Sequence, residues 1–405
     1  MLTLEKKIAD VVLKRIRAAR SNGDIDSAPD SAPKIAEPIS VRQARFSDFD
    51  QVSALNTKLG LGPDSAENWK RLWLENPALL DGETPTIGWV LETSSGIVGF
   101  LGSIRLQYES EGKVVRAVVA SRLAVDVAYR SFTHLLIISF FRQKNVDLFL
   151  NTTATVSAGK MMVAFKAAPI PQEDYGSVLF WIIDSGHVTK SVFERLGIGT
   201  RLRAARSLVS LAVRIDIGLR RRTPRVGTAK YSVLEGNVND IGDEFQRFWL
   251  AKSNETSRLQ AKRSASIMRW HFNPPGNRHV AKVLGCYLGN RLVGYGIVRH
   301  YTSEKEGLRR SLVADLMIEG DDPCIVQQLL AAMYKSAKNA GSHVLEVMGF
   351  PKEIRQMFLK SKPYLRKYPA CPFFYKAKDR AFHEKLADEN AWYACSFDGD
   401  ATIFP

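Results

Sequence analysis

The pentapeptide Trp73-Leu74-Glu75-Asn76-Pro77 returns as Trp270-His271-Phe272-Asn273-Pro274, so W-x-x-N-P occurs in each half of a 405-residue chain. Val98-Gly99-Phe100 is answered by Val293-Gly294-Tyr295, Val118-Val119-Ala120 by Leu312-Val313-Ala314, and Ser40-Val41 by Ser232-Val233. The offset stays within 192 to 197 residues throughout. One such match is cheap, but four in the same order are not. The period is far beyond that of a solenoid unit and has the size of a whole domain. The chain therefore reads as two diverged copies of one fold.

The bulk composition bounds what those copies do. Hydrophobic residues at 45% and charged residues at 24% are those of a soluble globular protein. No apolar run reaches the length of a membrane-spanning helix. Glu5, Lys6, Lys7, Asp10 and Lys14 interrupt the apolar core that a secretory leader needs. Cys286, Cys324, Cys371 and Cys395 form neither C-x-x-C pairs nor a metal-ligand spacing, which implies reduced thiols, no metal and a cytoplasmic protein. The net charge of +15 favours an anionic partner. Much of that charge lies in the first twenty residues and between Arg201 and Lys230, where Asp216 is the single acid.

Residues 2–20 carry Leu4, Ile8, Val11, Val12 and Ile16 at helical spacing and read as a cationic amphipathic helix. The Ser/Ala/Pro/Asp-rich stretch to residue 38 reads as a linker. From Ile39 the pattern is β-α-α-β-β-β-α-β-α-β, with hairpin turns at Ser94-Ser95-Gly96 and Ser110-Glu111-Gly112. The second half gives much the same order. The expected class is α/β (α+β): two tandem domains, each a mixed, mostly antiparallel sheet flanked by helices. The expected divisions are 1–38, a first domain at 39–200, a basic connector at 201–230 and a second domain at 231–405. As a connector, residues 201–230 are expected to turn their apolar side to the domains and their arginines to water. As a surface helix they would lie on an anionic membrane.

The element order, together with the segment Leu123-Ala124-Val125-Asp126-Val127-Ala128-Tyr129-Arg130-Ser131-Phe132-Thr133-His134-Leu135, resembles the GNAT acyltransferase superfamily. In that family a strand ending in apolar-x-Val runs into R-x-x-G-x-G/A, which opens a helix on the acyl-CoA pyrophosphate. The strand end, the Tyr129-Arg130 pair and the Leu-rich helix match. Thr133 and Leu135 stand where the family has glycines, and Met161–Lys166 lacks the family's general-acid Tyr. The second crossover, Met317–Pro323, has no phosphate-loop pattern. The eroded tandem motifs and the tail from Trp392 to Asp400 look most like double-domain acyltransferases of bacterial polysaccharide and envelope biosynthesis.

The resemblance implies an acyl-CoA-dependent N- or O-acyltransferase, with acetyl-CoA or another acyl-CoA as cosubstrate. Its cofactor contacts would be Leu123, Ala124, Val125, Arg130, Ser131, Phe132, Thr133 and His134. Candidate catalytic residues are Asp126 at the strand end, His134 on the following helix and Tyr175 on an acidic loop. The acceptor would be an amino sugar or a lipid-linked envelope precursor. The N-terminal helix or residues 201–230 would meet the inner face of the membrane. Two other classes share the architecture: the Fem-type transferases, which take their acyl group from aminoacyl-tRNA, and a binding protein without catalysis.

Overall fold

A computed structural model describes residues 38–79, 82–197, 203–227, 230–276, 280–303, 307–320 and 322–404. The amphipathic helix expected at 2–20 and the linker up to residue 37 lie outside them.

The first half runs β1 (Ser40–Gln43), α1 (Phe49–Lys58), α2 (Ala66–Trp73), β2 (Gly88–Thr93), β3 (Gly96–Ser110) and β4 (Lys113–Val125). A 3-10 turn, Val127–Phe132, then leads into α3 (Thr133–Phe141), β5 (Leu148–Asn151), α4 (Val156–Ala164), β6 (Ala168–Pro169) and β7 (Ser177–Ile182). Local chemistry sets the boundaries. The Ser65 hydroxyl caps α2 by accepting the Asn68 N–H, and the Thr155 hydroxyl caps α4 by accepting that of Ala158. Glu111 (φ 53°) and Gly112 (φ 71°) give the long β3–β4 hairpin the left-handed pair that a tight two-residue turn demands.

Two helices, α5 (Ser185–Arg195) and α6 (Arg203–Leu219), bridge to the second half. That half runs β8 (Ser232–Asn237), α7 (Asp243–Asn254), β9 (Gln260–Ala261), α8 (Ala265–Phe272), β10 (Val280–Leu288), β11 (Arg291–Ser303) and β12 (Leu308–Ile318). It closes with α9 (Pro323–Asn339), β13 (Val344–Val347), α10 (Lys352–Leu359), β14 (Tyr364–Lys367), β15 (Phe374–Ala377) and α11 (Arg380–Lys385). The two tryptophans of the repeat sit in the corresponding second helix of each half, α2 and α8. Both are structural. Trp73 Nε1 donates to the Ser103 carbonyl (2.8 Å), and Trp270 Nε1 donates across to the Arg71 carbonyl (2.9 Å). Arg71 answers by donating to the carbonyls of Trp270 and Ile403, both at 2.7 Å.

The described strands form two mixed sheets, ordered β1-β2-β3-β4-β5-β15-β6, with β9 against the far end of β3, and β14-β7-β13-β12-β11-β10-β8. The sequence reading gives β7 to the first domain, but the structure corrects this. β7 lies in the second sheet, antiparallel to β13 and β14 (Val347 against Leu179, Tyr364 against Phe180). Reciprocally, β15 lies in the first sheet between β5 and β6 (Phe374 against Asn151 and against Pro169). The last strand of each half is thus exchanged. The pattern of β7, Ser-Val-Leu-Phe-Trp-Ile with most residues buried, announces a central strand but does not say of which sheet.

The tail after α11 is held by a fully buried ion cluster. Arg263, with no exposed side-chain surface, donates through Nε to Asp315 of β12 (3.0 Å) and through Nη2 to Asp398 (3.1 Å). Its Nη1 donates to the Ala261 carbonyl (2.7 Å), and the guanidinium lies against the rings of Phe397 (4.8 Å) and Tyr393 (5.3 Å). Asp398 also accepts the backbone N–H groups of Ala261 (3.1 Å) and Cys395 (2.7 Å). Burial opposes the charge on Arg263, and the two carboxylates outweigh that cost.

Arg263→Ala strands two buried carboxylates and is expected to lower stability by about 3–5 kcal/mol, measured by urea unfolding. Because of the strand exchange, residues 39–200 expressed alone are expected to show no cooperative thermal transition by circular dichroism. A folded, monomeric fragment would contradict the exchange.

Candidate functional site

β4 and β5 are parallel and paired only from Ala117 against Leu148 to Val119 against Leu150. Beyond that point they part, because β4 carries a bulge in which Arg122 and Leu123 together face Leu101 of β3. Arg122 takes φ 51°, a left-handed conformation that a non-glycine residue holds only when its surroundings impose it. Those surroundings are the Leu61 carbonyl, which accepts from its Nη1, the Asp64 carboxylate at 3.6 Å, and the Phe404 ring 4.2 Å below the guanidinium.

The split opens into a chamber of about 960 Å³. Its first-half wall is Gly60–Pro63, Ser121, Arg122 and Thr152–Val156, and its second-half wall includes Tyr301, Leu312, Glu346, Met348 and Arg366. The tail supplies Asp400, Ala401 and Phe404. Glu346 is already committed, paired with Arg310 and with Arg366 (3.1 Å). Asp400 is different. Its carboxylate accepts from the hydroxyls of Thr152 (2.8 Å) and Thr153 (3.1 Å), and among the described residues it has no ion-pair partner. Burial pushes its carboxyl group above the usual range, and the two threonine hydroxyls oppose that shift. Gly399 is required beside it, since a Cβ there would lie 2.0 Å from Thr152 Oγ1. Arg299, brought down to about 10 by burial, anchors the tail through the Phe404 carbonyl.

The second sheet has the corresponding split after Val313 and Val347, but the chain's own tail fills it. Gly349 bridges Cys395, the Phe350 N–H donates to the Ala394 carbonyl (2.7 Å), and the Tyr393 hydroxyl donates to that of Leu316. The two splits are therefore not equivalent: one is plugged and one opens on the chamber.

The sequence-derived candidates fall in several places. Asp126 is paired with Lys58 Nζ at 2.6 Å, and that hydrogen bond holds its carboxyl group below the usual range. His134 is exposed on the first turn of α3, with Nδ1 2.7 Å from the Ser131 carbonyl. Tyr175 requires a correction. It is not on an open loop but 1% exposed, donating its hydroxyl to the Cys395 carbonyl (3.3 Å), with burial raising its pKa. Thr133 is also corrected: both its N–H and its hydroxyl (2.7 Å) go to the Arg130 carbonyl instead of facing a ligand. The reason is that Val127–Phe132 closes on itself as a 3-10 turn, where the glycines of the family's loop would leave amides free. Arg130 and Ser131 are exposed at its end. Ala124 and Val125 are buried, and Leu123 and Phe132 pack on the outer apolar cluster of the first sheet. Among the described residues, none from Leu123 to His134 lines the chamber.

Sequence reasoning missed Arg122, Thr152, Thr153 and Asp400. The available signal was Asn151-Thr152-Thr153, a run of polar residues directly after an apolar strand. No group of His, Cys, Asp or Glu among the described residues is arranged to hold a metal ion.

No protein-family model matches the chain, and no curated protein matches it. Solved structures do. A GCN5-related N-acetyltransferase from Anabaena variabilis aligns with TM-score 0.54 at 11% identity, over 84% of this chain and 73% of its own. A probable N-acyltransferase of Enterococcus faecalis aligns with TM-score 0.53 at 9% identity, over the same shares. Saccharomyces cerevisiae N-myristoyltransferase with bound myristoyl-CoA aligns with TM-score 0.51 at 14% identity, over 88% of this chain and 83% of its own. The fold is GNAT-like: two mixed sheets flanked by helices.

Gly399→Ala is expected to displace the tail from Thr152 and to lower the melting temperature by an amount worth about 1–3 kcal/mol. Gly276→Ala, at an open turn with nothing near its Cβ, is the control and carries only the strain of its positive φ.

Proposed function

We propose that the chain transfers an acyl group from an acyl-CoA to an amine or hydroxyl acceptor in the chamber between the sheets. The observation that carries this reading is the pairing of an open β4/β5 split with a buried carboxylate, Asp400, that has no ion-pair partner among the described residues. The likeness to an N-acetyltransferase and an N-myristoyltransferase supports the reaction class. An acyl thioester would enter the split, its carbonyl lying against the bulged strand at Ser121 and Arg122, which line the chamber. Because the 3-10 turn has its amides engaged, the pyrophosphate would rely on the exposed Arg130 more than on a backbone cradle.

In this mechanism Asp400 is the general base. The acceptor's N–H or O–H gives its proton to the carboxylate, and the nitrogen or oxygen attacks the thioester carbonyl. The new C–N or C–O bond forms as the C–S bond breaks, and CoA leaves as its thiol by taking up the proton that Asp400 received, which restores the carboxylate. Thr152 and Thr153 hold the carboxylate in place, and its burial strengthens the electrostatic contacts it makes. An acetyl group is the donor favoured here. An amino sugar or polysaccharide precursor is the acceptor proposed, with Arg366 and Tyr301 as polar side chains in a wall that is otherwise largely apolar.

Binding of acetyl-CoA by calorimetry, followed by single-turnover transfer to amino-sugar acceptors, tests the proposal. Asp400→Asn is expected to slow transfer roughly 100- to 10,000-fold while leaving acyl-CoA binding within a few-fold. The pH profile carries a sign. The active form is the carboxylate and its pKa is raised by burial, so the rate falls as pH drops through a value above the ordinary carboxylate range. A rate that is insensitive to Asp400→Asn removes it as the base, and the same assay on Asp126→Asn and His134→Gln tests the other two. If acyl-CoA does not bind while aminoacyl-tRNA binds with steep salt dependence, the donor is tRNA-borne.

A further inference from the structure

We propose that helix α6 rests on an anionic lipid surface and holds the enzyme there. Along α6, Leu208, Leu211, Ile215 and Leu219 recur at helical spacing on one stripe, and all face water: they are 68%, 53%, 51% and 76% exposed. The other face is occupied, with Val213 and Ile217 half-buried and Ser210 Oγ 3.0 Å from Ser185 Oγ of α5. This reverses the connector expectation, in which the apolar side packs inward. Four large apolar side chains aligned in water are not scattered surface exposure but a contiguous strip that asks for a cover.

The strip's surroundings indicate the cover. At its edge, beside Leu211, a crevice of about 490 Å³ between α5 and α6 presents Lys190, Arg206 and Arg214, with serine hydroxyls at Ser207 and Ser210. Asp184 and His187 also line it, but they are paired with each other at 2.8 Å. Past the helix, Arg221 and Arg225 are exposed, while Asp216, the one acid between residues 203 and 227, is taken by Arg220 and Arg222. An apolar stripe flanked on its α5 side and past its C-terminal end by cations suits a helix lying in a lipid–water interface, with side chains among acyl chains and arginines at phosphates. Charge excludes the nearer alternatives. A second copy of this chain would bring the same arginines against these. Residues 1–20 of the chain carry six Lys and Arg against two acids and are repelled likewise.

The full-length protein is expected to co-sediment with phosphatidylcholine vesicles containing phosphatidylserine, and to do so less as salt rises. Leu211→Ser/Ile215→Ser is expected to weaken partitioning about tenfold or more, and Arg206→Ala/Arg214→Ala roughly tenfold. Neither should move the melting temperature much, since the stripe is in water. Residues 1–20 are also cationic and amphipathic, so a second readout localises the contact: hydrogen exchange in 203–219 of the unmodified protein should slow when vesicles are added. The proposal is overturned if the protein ignores anionic vesicles, if both double variants bind as before, or if 203–219 gains no protection. It is also overturned if the serine variant abolishes a dimer in solution while leaving vesicle binding intact, which would assign the stripe to a second copy.

Discussion

The Arg263–Asp315–Asp398 cluster joins three parts of the chain that are distant in sequence: the approach to α8, the middle of β12 and the C-terminal tail. A guanidinium without solvent is tolerable only when its donors are met and its charge is balanced, and here two carboxylates, a carbonyl and two aromatic faces do so. The consequence reaches further than stability. Asp398 fixed on Arg263 places Gly399 and Asp400 two steps on, where only a glycine passes Thr152 and the next carboxylate meets the hydroxyls of the first half. One buried cluster thereby closes the second sheet's split and furnishes the first.

Strand exchange makes this possible. If β15 stayed with its own half, the chain would have no reason to return across the molecule, and the tail could not span both splits. Because β15 pairs with β5 and β7 pairs with β13, each sheet is completed by the other half. The chain from Ile39 is correspondingly one compact unit. Two copies with separate cores would be free to drift apart. Two copies that lend each other a strand keep a fixed chamber between them, and a fixed chamber is what positioning chemistry requires.

The repeat and the hairpins were legible because they rest on short-range physics. Glu111-Gly112 turns a hairpin through its own dihedral angles, whereas the caps Ser65 and Thr155 emerge from the structure. The destination of β7 was not legible, since a strand buried on both faces suits the centre of either sheet. The site was legible only at its frame. The strand end at Leu123–Val125 was read as cofactor-binding, but those residues do not line the chamber, and the bulge that lifts Arg122 out of the ladder is a pairing event, set by Leu101 across the sheet. Asp400 was invisible for a stronger reason. Its environment is made of Thr152 and Thr153, almost 250 positions away, and nothing local to Asp398-Gly399-Asp400 says that one carboxylate will be neutralised by an arginine and the other left with hydroxyls.

The unequal fate of two related splits is the physical core of the proposed function. Each half builds a parallel pair that ends early, and in the proposed reading such a split is where an acyl thioester would enter. In the second half the split is filled by Tyr393 to Cys395, with the Phe350 amide and the Leu316 carbonyl as partners, and a ligand would have to displace those hydrogen bonds and the buried Tyr393 ring. In the first half the same tail stops at the wall instead of filling the gap, leaving a carboxylate facing the chamber. Duplication thus need not yield two active centres. In the proposed reading, a second copy whose split accepts the chain's own tail would be the scaffold that delivers a base to the first, and the absence of a phosphate-loop pattern between Met317 and Pro323 would accord with that role.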